Sequence, residues 1–166
     1  GSNPPPDFSS SDYIYSTPLT FPIAGSNLGQ ALQTNLSSNL PSPLLAGITV
    51  DAQGNIFGTS VAGGTFGNGV VYEIAAGSNI VTTLVSFNGT NGAAPSGKIV
   101  LDSSGNFFGT TELGGTNNQG TVYEIAAGSN TITTLLNFSG TNGAYPLAGV
   151  VADAQGTLFG TTYSGG

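Results

Sequence analysis

The sequence predicts an all-β protein made of tandem four-stranded antiparallel units, and three observations carry that prediction. The stretch Asp102-Ser103-Ser104-Gly105-Asn106-Phe107-Phe108-Gly109-Thr110-Thr111 recurs with few changes 51 residues earlier, from Asp51, and 51 residues later, from Asp153. Within each unit apolar residues alternate with a period of two, as they do in a strand with one buried face. Between these runs stand turn formers, including 27 glycines and the Asn-Gly pairs that begin at Asn68, Asn88, Asn91 and Asn142. A fixed period of this length marks an array in which one supersecondary unit stacks on the next.

Residues 1–12 contain Pro4-Pro5-Pro6 and Ser9-Ser10-Ser11 and read as an extended, flexible arm. Residues 13–43 begin with the β-prone run Tyr13 to Phe21, which Pro18 restricts to an edge strand, a strand end or a bulge. A polar linker follows, in which Leu28, Ala31, Leu32 and Leu36 have the spacing of a short helical turn. Residues 44–94 and 95–145 are complete repeats, and residues 146–166 are half of a third.

The second repeat illustrates the unit. Ile99-Val100-Leu101 is a strand ended by Asp102, and Ser103 to Asn106 is a turn in which Gly105 supplies a positive φ. Phe107 to Thr111 is the returning strand, followed by a Gly-rich loop. The third strand, Gly120 to Ile125, alternates Thr121, Tyr123 and Ile125 with Val122 and Glu124. In the fourth, Ile132, Thr134, Leu136 and Phe138 share a face, as do Val81, Thr83, Val85 and Phe87 one repeat earlier. Four short strands in about 50 residues match a β-propeller blade.

The string Asp-x-x-Gly-Asn-x-Phe-Gly-Thr-Thr, then Gly-Gly, Gly-x-Val-Tyr-Glu-Ile and Phe-x-Gly-Thr-Asn-Gly-Ala-x-Pro resembles the tandem GloVer repeats of bacterial secreted, surface-anchored proteins, over residues 44–166. The resemblance implies export to an extracellular or cell-surface location and a repetitive β architecture. It brings no catalytic residue and no cofactor.

The repeats supply ten strands, about three blades, whereas propellers close with roughly four to eight. Three blades leave open sheet edges. Tyr15-Ser-Thr-Pro-Leu-Thr-Phe21 resembles Ile132-Thr-Thr-Leu-Leu-Asn-Phe138 in pattern and is a stand-in for a missing fourth strand. Tyr13, Ile14, Tyr15, Leu19 and Phe21 are therefore the candidate assembly residues. Three outcomes stay open: two chains complete a ring, chains join head to tail into a fibre by strand donation, or the chain is a fragment of a longer array.

Composition narrows the partners. The net charge is −7, from eight acidic residues and one base, Lys98. With no arginine, nothing neutralises a phosphate backbone, so nucleic acid is not an expected partner. No apolar run approaches the ~20 residues of a membrane helix, so no membrane insertion is expected. Cysteine and histidine are absent, which removes thiolate, imidazole and disulfide chemistry.

The remaining candidates are carboxylates, amides and tyrosines. Asp51, Asp102 and Asp153 occupy one repeat position and are weak candidates for calcium. The better reading is a structural turn in each hairpin, Asp51 with Gly54, Asp102 with Gly105 and Asp153 with Gly156, in which the carboxylate accepts from the backbone two residues on. Glu73 and Glu124 are also repeat equivalents, which makes them a poor acid and base pair for glycoside hydrolysis. Tyr72 and Tyr123 read as core, while Tyr145 and Tyr163 leave a glycan surface open. The expectation is a non-enzymatic extracellular protein, without cofactors, that self-assembles. The alternative is a propeller fragment that binds a glycan.

Overall fold

The computed structural model describes residues 47–78 and 80–166. Among them there are ten strands and no helix, arranged as two four-stranded antiparallel sheets and one two-stranded sheet. The first sheet runs in order β1 (Thr49–Val50), β2 (Ile56–Ser60), β3 (Val70–Ile74) and β4 (Val81–Ser86). The second runs β5 (Val100–Leu101), β6 (Phe107–Thr111), β7 (Thr121–Ile125) and β8 (Thr133–Asn137), and the third pairs β9 (Val151–Ala152) with β10 (Leu158–Phe159). Each sheet is a simple meander because every connection joins sequence neighbours, by a turn or, between β2 and β3 and between β6 and β7, by the Gly-rich loop.

Register is the same in the two complete sheets. Gly58 pairs with Tyr72 and Gly109 with Tyr123, while Ile56 faces Ile74 and Phe107 faces Ile125. One expectation changes at the fourth strand. Both sheets carry a bulge, between Val71 and Tyr72 and between Val122 and Tyr123, so Val85 pairs with Val71 but Thr83 with Tyr72. Val81 and Thr83 thus lie on the opposite face from Val85, and Thr134 opposite Leu136. A period-two reading cannot see the extra residue that a bulge inserts.

The bulge brings Val85 onto the face that packs against the second sheet. Phe57, Val71, Val85 and Phe87 meet Ile99, Phe107, Tyr123 and Ile125 in one buried cluster. Phe57 and Phe107 lie 4.7 Å apart between ring centroids, and Phe87 meets Tyr123 edge to face at 5.0 Å. Such aromatic pairs add about 0.5–1.5 kcal/mol beyond the area they bury. On the far face of the first sheet, Ile56, Tyr72 and Ile74 are buried as well.

Backbone bonds lock each repeat to the next. Ala93 and Leu113 each donate an amide to the other's carbonyl (2.8 and 3.0 Å), Glu112 N–H donates to Ala94 (3.1 Å) and Gly115 N–H to Gly89 (2.8 Å). Fifty-one residues on, Ala144 and Ser164 exchange the same pair (2.7 and 3.2 Å), while Tyr163 donates to Tyr145 and Gly166 to Gly140 (3.1 Å each). The loop between is pinched: a Cβ on Gly92 would stand 2.6 Å from Thr111 Cγ2, and its φ is +127°. Ala94 and Tyr145 adopt φ of 52° and 55° without being glycine. Bonds on both sides hold them there, since their amides donate to Asn68 and Gln119 (2.9 Å each).

Tyrosine and glycine fit each other across β6 and β7. A Cβ on Gly109 would lie 2.5 Å from the Tyr123 hydroxyl oxygen, and that buried hydroxyl has no hydrogen-bond partner. Gly109→Ala should therefore destabilise the fold by about 1–3 kcal/mol through overpacking. Tyr123→Phe should leave stability unchanged or raise it by up to about 1 kcal/mol, because an unsatisfied buried group is removed. Urea unfolding of both variants checks the pair, and a large loss in Tyr123→Phe would refute the fit.

Candidate functional site

Two places stand out: the turn end of the stacked sheets, and the open side of the third sheet. At the turn end each hairpin is closed by its aspartate. Asp51 Oδ1 accepts from the amides of Gln53 (2.9 Å) and Asn55 (2.8 Å), and Oδ2 accepts from Asn55 Nδ2 (2.8 Å). Asp102 repeats the arrangement with Ser104 and Asn106 (2.8 Å each) and with Asn106 Nδ2 (2.9 Å). Asp153 Oδ1 accepts from Gln155 (2.9 Å) and Thr157 (2.8 Å). Gly54, Gly105 and Gly156 take the positive φ these turns need, at 87°, 85° and 83°.

The asparagine after each of the first two glycines does more than turn the chain. Asn55 Oδ1 accepts from the Ala76 amide (2.8 Å) and Asn106 Oδ1 from the Ala127 amide (2.9 Å). Each asparagine thus joins its own hairpin to the turn between the third and fourth strands. Its signal was present in the sequence as an Asn at one repeat position, but the partner 21 residues away belongs to the fold. Thr157 replaces it in the third repeat.

These bonds set the acidity of the carboxyls. For Asp51, partial burial pushes the value up but is outweighed by bonds from the Asn55 side chain and the backbone of Asn55, Gln53 and Gly54, so the net direction is down. For Asp102 the Asn106 amide is the main cause of a lowered value, against some desolvation. Carboxylates engaged this way are committed to folding.

Between the two hairpin ends lies a groove of about 550 Å³, lined by Asp51, Gln53, Glu73, Asp102, Ser103 and Asn130 with Phe57 and Phe107 at its floor. Among the described residues no three acidic side chains form a metal-binding group. Glu73 is opposite Phe57 and Glu124 opposite Phe108, so they belong to different sheets. Lys98 is exposed outside any strand, Tyr163 is exposed, and Tyr145 is half-buried in the second junction.

At the other place, exposure climbs along the array. Thr59 and Thr110 are buried but their equivalent Thr161 is exposed, and Phe57, at 6% exposure, corresponds to Phe159 at 54%. β2 and β6 each pair on both sides, whereas β10 pairs only with β9 among the described residues. Leu136, equivalent to the buried Val85, is 41% exposed. A cavity of about 260 Å³ opens there, lined by Val122, Leu136, Phe138, Val150, Leu158 and Gly160. The candidate assembly residues Tyr13, Ile14, Tyr15, Leu19 and Phe21 lie outside the described residues, as do the arm of residues 1–12 and the linker.

The sequence pattern of a family described as the Gloeobacter/Verrucomicrobia repeat matches residues 10–166. The match begins well before residue 44 and so takes in the segment around Phe21. No curated protein matches the chain.

Asn106→Ala deletes two bonds of the half-buried link and should cost about 1–2 kcal/mol in urea unfolding; no change would remove it as a structural element. The acid limb follows from the direction of the Asp51 and Asp102 shifts. Their folded values lie below the ordinary carboxyl value of 3.8. Their contribution is therefore fully present above that value and is lost as pH falls through the folded values. Unfolding midpoints measured from pH 6 down to pH 2 should fall in the acid limb for the parent and less steeply for Asp102→Asn. Parallel curves would contradict the assignment.

Proposed function

The chain belongs to the Gloeobacter/Verrucomicrobia repeat family, and from that premise we propose that it is a non-enzymatic, exported structural protein whose repeats assemble with further copies into a fibre. The observation that carries this reading is the junction between repeats, where the same backbone bonds form twice at one spacing and so define a joint that can be repeated from sheet to sheet. A sheet edge offered at such a joint is a template for a strand from another chain. Few charges also leave little long-range repulsion between neighbouring copies.

A second reading is favoured by one feature, the groove between the hairpin ends. Its amides, hydroxyls and Glu73 above an aromatic floor have the chemistry that recognises a glycan. Sugar binding and assembly use different surfaces, so the two readings are separately testable.

Light scattering after size exclusion, with negative-stain images of the same sample, should give filaments or very large particles for the intact chain. The same chain without residues 1–21 should stay small. A single small species for the intact protein would reject assembly, and hits on a glycan array from that species would then favour the groove.

A further inference from the structure

A charged side chain stands where the stacking of the sheets calls for an apolar one. Along β3, Val71 and Glu73 alternate onto the face that packs against the second sheet, and the residue opposite Glu73 is Phe57 of the buried cluster. Val71 is fully buried there, whereas Glu73 is half-buried and its carboxylate has no hydrogen-bond partner among the described residues. A carboxylate is kept between two sheets only where water or a ligand can reach it. The groove of about 550 Å³ is that opening, and Phe57, Phe107, Leu84 and Leu101 form its apolar lining.

The sign of the groove restricts what enters it. Its lining contains three carboxylates, those of Asp51, Glu73 and Asp102, and no basic residue. Asp51 and Asp102 spend their oxygens on their own hairpins yet keep their negative charge. Glu73 is left to receive a donor, since an ionised carboxylate only accepts. Around it the side-chain amides of Gln53 and Asn130 and the hydroxyl of Ser103 are likewise uncommitted among the described residues.

We propose that this groove binds a glycan bearing free amino groups, with an ammonium on Glu73 and the sugar hydroxyls on Gln53, Ser103 and Asn130. The inference rests on the glycan reading of the groove and names the class of glycan. Amides and a hydroxyl give and take hydrogen bonds as sugar hydroxyls do, and the apolar lining suits the C–H face of a sugar ring. The carboxylates decide between sugars. A neutral sugar offers Glu73 a hydroxyl but gains nothing from the negative charge around it, and an acidic polysaccharide would set like charges side by side.

Titration calorimetry on the intact chain, in mildly acidic buffer of low salt, compares a short glucosamine oligomer with its fully N-acetylated counterpart. The amino form should bind about tenfold more tightly, the effect of one charge-assisted hydrogen bond. Glu73→Gln should remove that difference and leave binding of the acetylated form unchanged. Ser103→Lys, on an exposed turn, is an independent check, because it sets a rival cation at the rim and should weaken only the amino form. Equal binding of the two oligomers, unchanged in Glu73→Gln, would overturn the amino-sugar assignment and leave the glycan reading standing. No binding of either oligomer would overturn both. A preference for the amino form that survives both substitutions would come from the overall negative charge of the chain and would overturn the placement at Glu73. Spermine bound as tightly as the glucosamine oligomer would overturn the sugar ring as part of the recognition.

Discussion

Main-chain bonds between consecutive repeats are the constraint on which the stack depends. A loop leaves the fourth strand of one sheet, folds back on itself and is gripped by the loop that follows the second strand of the next. Since donors and acceptors are all backbone, side chains there are free to change. Ala93 with Leu113 becomes Ala144 with Ser164, and the bonds persist. Sequence is restricted where the backbone must pass closely, as at Gly92 and Gly114 and their equivalents Gly143 and Gly165. Once the clasp fixes the spacing of the sheets, Phe57 reaches Phe107 and Phe87 reaches Tyr123, and the apolar cluster follows.

How much of this was legible in the sequence depended on the range of each interaction. The strands, their antiparallel order and the aspartate turns rest on contacts within a few residues, and a motif repeated at one spacing is enough to read them. The bulge at Val71 was not legible, because an extra residue in one strand appears only when its partner is placed beside it. Nor was the link from Asn55 to Ala76, whose donor and acceptor are brought together by two separate turns. Gly58 and Gly109 are an intermediate case: the glycine repeats visibly, but the reason for it is clear only from Tyr72 and Tyr123 lying over those positions.

The same reasoning separates folding from function at the acidic positions. A carboxylate with both oxygens occupied by its own hairpin has little capacity left for a metal or a proton transfer, and that describes Asp51 and Asp102. Glu73 is different in kind. It stands in a groove beside amides and hydroxyls, where an acceptor can meet a ligand instead of the backbone. The structural burden of this fold therefore falls on small polar groups and aromatic rings, and Glu73 is among the few side chains that neither task consumes.

The aspartate turns have a further consequence, for the water around the protein. Each carboxylate is satisfied by neutral N–H groups at short range, and the whole chain contains a single lysine with which an acid could pair. Dissolved ions weaken attraction between separated opposite charges, with a range of about 8 Å at 0.15 M, but have little purchase on contacts of this kind. These turns therefore hold alike in dilute fresh water and in brine.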